Sequence, residues 1–248
     1  MAIKQILLLI PARYDSTRFP GKPLALIKGK PMIQWVYERV NNKYSDHLNV
    51  SVFVVTDNAK IEKEVLSFGG KVLMVPEETQ SGTERIYLGV QKYFNNKDFD
   101  LVVNIQGDEP LIQQNVIEEL IEFHLKSEFD IATVVRPENN IGDNPNVVKA
   151  VYVPNSGRCL YFSRAAVPFD RGGNRDGFFA HVGIYSFRPK ALEKFCGFLP
   201  SFYEKIESLE QLRALENGLT IGAIKVNLKL LGVDTPEDIS KVEEKLNE

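Results

Sequence analysis

The sequence predicts an α/β protein with a three-layer α/β/α arrangement, a mostly parallel mixed sheet and a β-rich insertion. Two observations carry this for the first half: short β-branched runs alternate with longer segments of helical spacing, and those runs are apolar at nearly every position. A strand apolar on alternate positions buries one face. A strand apolar throughout buries both, which requires helices on either side of a parallel sheet. A third observation is the change of pattern in the second half, where strand-like runs follow one another with turns between them.

Residues 6–10, 50–55, 72–75, 101–105 and 131–135 read as doubly buried strands. Between the first two, Met32, Ile33, Val36, Tyr37 and Val40 fall on one side of a helix. Ile61, Val65, Leu66 and Phe68 mark a second helix, which stops at Gly69-Gly70. Leu120, Ile121, Phe123 and Leu125 mark another. Residues 147–153, 160–162 and 180–187 are strand-like, and the polar segment 170–177 reads as a mobile loop. A helix is expected from about 203 to 217, ended by Gly218. A last one starts at "DTPED", with Thr235 as cap, Pro236 in the first turn and Asp238 completing a capping box. With no internal repeat and no linker, residues 1–248 read as one domain carrying a β-rich insertion at about 136–190.

The chain has 248 residues, 44% hydrophobic and 25% charged, enough to bury a sizeable core. A formal net charge of −3 argues against bulk nucleic-acid binding but leaves room for a local basic pocket. Residues 6–10 are too few for the apolar region of a signal peptide and end at Pro11, and no other run is long enough to span a bilayer. Cys159 and Cys196 form neither a disulfide framework nor a metal spacing. A soluble, cytoplasmic protein with reduced thiols is expected.

Ligands of such sheets bind beyond the carboxyl ends of the strands, so polar clusters that follow strands are the candidate sites. After the first strand, Arg13, Arg18 and Lys22 lie within ten residues, stiffened by Pro11, Pro20, Gly21 and Pro23. Guanidinium and ammonium groups beside exposed backbone N–H groups suit a polyphosphate. A solvated basic turn explains the same residues. No Walker loop is present, since Gly29-Lys30 is followed by Pro31, and there is no GxGxxG. "NIQGDEP" ends a buried strand and presents Asp108, with Gly107 permitting close backbone approach. "GVDTPED" presents Asp234 ahead of a helix. One aspartate from each of two distant loops suits Mg²⁺, with phosphate oxygens completing its shell; each alone is equally a turn or cap residue. In "QSGTERI", Ser81 and Glu84 suit a helix cap, and the same N-terminus can bind an anion. Further on, Arg164 can pair with a carboxylate, and His181 and Tyr185 can hydrogen-bond, as core side chains also do. The histidines, His47, His124 and His181, show no zinc spacing.

The strings "IPARYDSTRFPGKPL", "QSGTERI", "NIQGDEP", "NPNVVKAV", "YFSRAAVPF", "HVGIYSF", "ESLEQLRALENG" and "GVDTPED" occur in order over nearly the whole chain. Together they resemble the 3-deoxy-manno-octulosonate (Kdo) cytidylyltransferases. The resemblance implies the nucleotide-diphospho-sugar transferase fold and transfer of CMP from CTP to the anomeric hydroxyl of Kdo. Pyrophosphate would leave, Mg²⁺ would assist, and the CMP-Kdo would serve lipopolysaccharide biosynthesis. It also implies a cytoplasmic homodimer in which the insertion contributes to the dimer contact. Residue by residue, it implies that Arg13 and Lys22 hold the triphosphate with Ala12 and Ser16 nearby, and that Gln80, Ser81 and Gly82 border the cytosine and ribose. Asp108 and Asp234 would bind the metal. Gln106, Arg164, His181, Tyr185, Glu210 and Gln211 would line the sugar site, Arg164 facing the sugar carboxylate. Alternatives are a cytidylyltransferase for a related 2-keto sugar acid, amino-substituted Kdo or sialic acid, and a non-catalytic sugar-nucleotide-binding protein. Sialic acid enzymes typically carry a Gly/Ser/Lys-rich first loop, where this chain has Tyr14, Asp15, Ser16, Thr17 and Arg18. A silent binder has little use for two strand-end aspartates.

Overall fold

The computed structural model of the chain describes residues 2–15, 19–95, 98–139, 141–172, 177–227 and 231–247. They divide into two compact units, one of residues 1–118 with 229–248 and one of residues 119–228.

In the first unit, strand β1 (Lys4–Ala12) is the centre. After the two short strands β2 (Leu26–Ile27) and β3 (Lys30–Pro31) come helix α1 (Met32–Val40) and strand β4 (Leu48–Thr56). Helix α2 (Ala59–Ser67), strand β5 (Val72–Met74), helix α3 (Gly82–Tyr93) and strand β6 (Leu101–Asn104) complete the alternation. The strand order is β5-β4-β1-β6, every pair parallel. Leu7, Leu8, Leu9 and Ile10 are all fully buried, so successive side chains on opposite faces are both covered. That doubly buried strand fixes the predicted layering. Each such leucine or isoleucine contributes about 1.5–3 kcal/mol of burial free energy. All five predicted apolar positions of α1 are buried. In α2 only Ile61 and Val65 are buried; Leu66, expected in the core, is exposed because it falls a quarter-turn past the stripe those two define.

Helix α4 (Gln114–Lys126) carries the chain into the second unit. There β7 (Ile131–Pro137), β8 (Lys149–Val153), β9 (Arg158–Ser163) and β10 (Phe179–Phe187) precede α5 (Pro189–Gly197), α6 (Phe202–Glu207), α7 (Gln211–Glu216) and β11 (Ile221–Lys225). The strand order is β10-β7-β11-β9-β8, and Ala180 of β10 also pairs with Lys149 of β8, so the five strands close on themselves. Only β11 and β7 are parallel; the other neighbours are antiparallel, and of these β8 and β9 are successive strands joined by a turn.

The single helix expected over 203–217 is two helices. Ser208 adopts the left-handed conformation (φ 51°) between α6 and α7 and breaks the hydrogen-bond ladder. Gly218 (φ 82°) ends the second as expected. Helix α8 (Glu237–Lys245) returns to the first unit. It begins after Pro236, and the capping contact is the one from Asp238, whose carboxylate accepts from the Thr235 N–H at 3.0 Å. Among the described residues no helix is long and apolar enough to cross a membrane.

Candidate functional site

Parallel pairing of β1 with β6, with Leu9 opposite Asn104, brings the turns that follow both strands to the same sheet edge. Gly107 lets them meet: a Cβ there would lie 2.9 Å from the Pro11 carbonyl oxygen, closer than real side chains approach. The N-terminus of α3 completes the edge. Ser81 caps it by accepting from the Glu84 N–H at 3.2 Å, while the Glu84 carboxylate accepts from the Gln80 N–H at 2.7 Å. Buried Asn104 donates to the Thr83 hydroxyl at 3.2 Å, joining the end of β6 to the first turn of α3. Gly21, in the left-handed region at φ 72°, turns the chain into a short 3₁₀ turn (Lys22–Leu24).

These elements enclose a cleft lined by Pro11, Ala12, Arg13, Lys22, Pro23, Met32, Thr79, Ser81, Gly82, Arg85, Gln106, Gly107, Asp108 and Asp234. Its charged centre is Lys22. The ammonium donates to Asp108 Oδ2 at 2.6 Å and to the Val233 carbonyl at 2.9 Å, and lies 3.9 Å from Asp234 Oδ1. Its side chain is 16% exposed, against 32% for Asp108 and 58% for Asp234. A mostly covered cation therefore sits between two carboxylates that face solvent. Arg13 is exposed at the rim, and the positive end of α3 points at the same space.

Two aspartates 126 positions apart in sequence thus converge on one cationic point. Among the described residues no group of three or more His, Cys, Asp or Glu side chains is placed to hold an ion. Two hard carboxylates with the remaining positions left to phosphate oxygens and water are a donor set that Mg²⁺ accepts. The residues fit that ion as a partner of a bound polyphosphate rather than as a self-contained metal centre.

Of the expected nucleotide and metal residues, Ala12, Arg13, Lys22, Ser81, Gly82, Asp108 and Asp234 share this cleft, and Gln106 lies among them. Gln80 is adjacent in sequence but does not line it, and Ser16 lies outside the described residues. Thr79 and Arg85 line the cleft without having been expected. The buried Arg85 guanidinium donates to the Val75 carbonyl at 2.9 Å and to Asp57 at 2.7 Å, anchoring the segments after β4 and β5. Its place in "QSGTERI", one turn in from the helix start, was the available signal.

The other expected sugar residues belong to the second unit. His181 and Tyr185 share a face of β10, ring centroids 5.4 Å apart, with Phe162 at 5.0 Å from His181. Burial pushes the His181 imidazole down to about 3 and the Tyr185 phenol well above its ordinary value, with the Glu210 charge adding to the latter. Gln211 is buried at the start of α7, next to Glu210. Arg164 is held by backbone: its guanidinium donates to the carbonyls of Glu207 at 2.8 Å, Pro145 at 2.9 Å and Ser208 at 3.4 Å. The Glu207 carboxylate in turn accepts from the Arg164 N–H at 2.9 Å and the Ser163 hydroxyl at 2.6 Å. Lys149, fully buried, donates to the carbonyls of Asn144, Val147 and Arg164. Arg164 is thus a preset, loop-pinning cation rather than a freely swinging one.

The sequence pattern of the cytidylyltransferase family matches residues 7–221. The chain is 45% identical to the 3-deoxy-manno-octulosonate cytidylyltransferase of Thermodesulfovibrio yellowstonii, over 96% of this chain and 97% of that one. It is also 45% identical to the 8-amino-3,8-dideoxy-manno-octulosonate cytidylyltransferase of Shewanella pealeana, over 97% and 98% of the two chains. Among solved structures it matches CMP:2-keto-3-deoxy-manno-octonic acid synthetase complexed with CTP, with a TM-score of 0.90 and 36% identity over 98% of this chain and 99% of that one.

Proposed function

The chain belongs to the cytidylyltransferase family, and on that premise we propose that it transfers CMP from CTP to the anomeric hydroxyl of Kdo, releasing pyrophosphate. The observation that carries this reading is the Lys22 ammonium held between Asp108 and Asp234 at the edge where Arg13 and the α3 N-terminus also point.

The reaction is a displacement at phosphorus. The anomeric hydroxyl oxygen of the sugar forms a bond to the α-phosphorus of CTP and gives up its proton to solvent, the bond from that phosphorus to the bridging oxygen breaks, and pyrophosphate leaves with the electron pair. Such a transfer needs positioning and charge neutralisation more than a protein nucleophile. Lys22 and Arg13 would neutralise triphosphate oxygens, and the N–H groups opening α3 would hold a further anionic or polar edge of the nucleotide. Asp108 and Asp234 would hold Mg²⁺, which when bound neutralises phosphate charge. On the sugar side, Gln106, Arg164, His181, Tyr185, Glu210 and Gln211 would bind the acid, Arg164 facing its carboxylate. A homodimer in the cytoplasm, feeding lipopolysaccharide biosynthesis, belongs to the same proposal.

A second reading has specific support in the relative named for the 8-amino sugar, whose identity to this chain equals that of the Kdo-named relative. The two sugars differ at one substituent, and such a change needs few pocket differences. Incubation with CTP and each sugar in turn, with the product identified by mass, tests both. A CMP-sugar adduct with Kdo is the expected outcome; an adduct with the amino sugar alone would replace the first reading by the second.

A further inference from the structure

Pairing of β10 with β7 is irregular between Val182 and Tyr185. Val182 faces Val134, the next pair is Tyr185 with Thr133, and Gly183 and Ile184 are extra. Such an insertion takes backbone groups out of the ladder, and they need partners elsewhere. Thr133 supplies one. Its fully buried hydroxyl oxygen lies 2.7 Å from the Ile184 carbonyl oxygen and 3.2 Å from that of Val182. The same oxygen lies 3.0 Å from Nε2 of His181.

A hydroxyl has one proton and two lone pairs, and a carbonyl oxygen only accepts. The Thr133 proton therefore goes to the carbonyl pair, the Ile184 oxygen being nearer. Toward His181 the threonine has only a lone pair to offer, so Nε2 must carry the hydrogen. In a neutral imidazole the other nitrogen, Nδ1, is then an acceptor. Phe162 and Tyr185 flank the part-buried ring, and desolvation there keeps the imidazole neutral through the physiological range. Among the described residues no hydrogen bond reaches Nδ1.

We propose that Thr133 is a positioning residue that fixes His181 as the Nε2–H tautomer, so that Nδ1 accepts a hydrogen bond from a hydroxyl of the sugar substrate. The sugar half of this statement rests on the function proposed above; the tautomer does not. A neutral acceptor repels an oxyanion, so His181 meets a hydroxyl and leaves the sugar's carboxylate to cationic groups such as Arg164. The hydroxyl of one threonine in the apolar run "IATVV" thus sets the polarity of a site on the neighbouring strand.

The test uses the full chain labelled with ¹⁵N-histidine, read by long-range ¹H–¹⁵N correlation near neutral pH, with His181 assigned by its disappearance in H181Q. Wild type and T133S should show a protonated Nε2 and an unprotonated Nδ1 at His181. T133V, which cannot accept, should lose that single pattern. In steady state, T133V should raise KM for the sugar about tenfold, the worth of one hydrogen bond, with KM for CTP unchanged and T133S near wild type. A protonated Nδ1 in the wild type, or a T133V spectrum identical to it, would overturn the assignment; the wild-type and T133S spectra decide it even if T133V folds poorly. A changed T133V spectrum with an unchanged sugar KM would refute the link to the sugar while CMP transfer stands. A wild type that makes no CMP-sugar would instead refute the transfer and leave the tautomer intact.

Discussion

Replacing Lys22 with methionine separates what the lysine does for substrate from what it does to a metal. In the free protein its ammonium lies 2.6 Å from Asp108 and 3.9 Å from Asp234, so it occupies the field that would otherwise attract a cation. At about 4 Å, two unit charges interact by about 4 kcal/mol near a protein surface. Asp234 is 58% exposed and Asp108 32%, so solvent screening cuts the effect on a nearby ion to about 1–2 kcal/mol. Methionine keeps the packing of the stem and removes only the charge. Nucleotide-free K22M should therefore bind Mg²⁺ about fivefold to thirtyfold more tightly than wild type by isothermal titration. Yet its kcat/KM for CTP should fall about 10²–10³-fold, the usual cost of losing a charge aimed at the reacting phosphates. The two results move in opposite directions, which general unfolding cannot mimic. A variant that binds Mg²⁺ no better than wild type would refute the claim that lysine and metal compete for one carboxylate pair.

Three further outcomes follow from the same geometry. Asp108→Asn should lower turnover by about 10²–10³-fold with the thermal melt nearly unchanged; near-normal pyrophosphate release would remove Asp108 from the metal assignment. Gly107→Ala places a methyl 2.9 Å from the Pro11 carbonyl and should cost about 1–3 kcal/mol, read as a lower urea midpoint with weakened CTP binding. His124 is pushed down to about 4, first by burial and then by the Arg188 charge against its hydrogen bond to Phe129, and His181 is at about 3. Below an ordinary histidine pKa of about 6.5 the unfolded chain takes up protons that the folded one refuses. Stability is therefore full above that pH and falls as pH drops toward 4, by about 1.4 kcal/mol per pH unit for each histidine. Urea midpoints measured across that window should show the slope, and H124Q should reduce it.

The first unit was largely legible because its signals are local and redundant. Doubly apolar strands and the stripe of Met32, Ile33, Val36, Tyr37 and Val40 each admit one reading, and parallel pairing then forces the strand-end turns to one edge. Leu66 was misplaced because three nearby apolar residues do not say which lies off the stripe. The break at Ser208 was invisible since serine carries no strong preference for the left-handed conformation that the Arg164 and Glu207 contacts surround. Asp108 and Asp234 were visible as turn and pre-helix carboxylates, but the lysine between them is a tertiary fact; no spacing encodes a contact across 86 positions. Thr133 was the least visible, because in sequence it reads as one more β-branched residue of a buried strand.

Pyrophosphate release measured with each of CTP, UTP, ATP and GTP, with and without Kdo, tests CMP transfer most directly. The expected result is release with CTP only, dependent on Kdo and abolished by removing divalent cations. Release with CTP in the absence of any sugar acid, or equal release with another nucleotide, would contradict it.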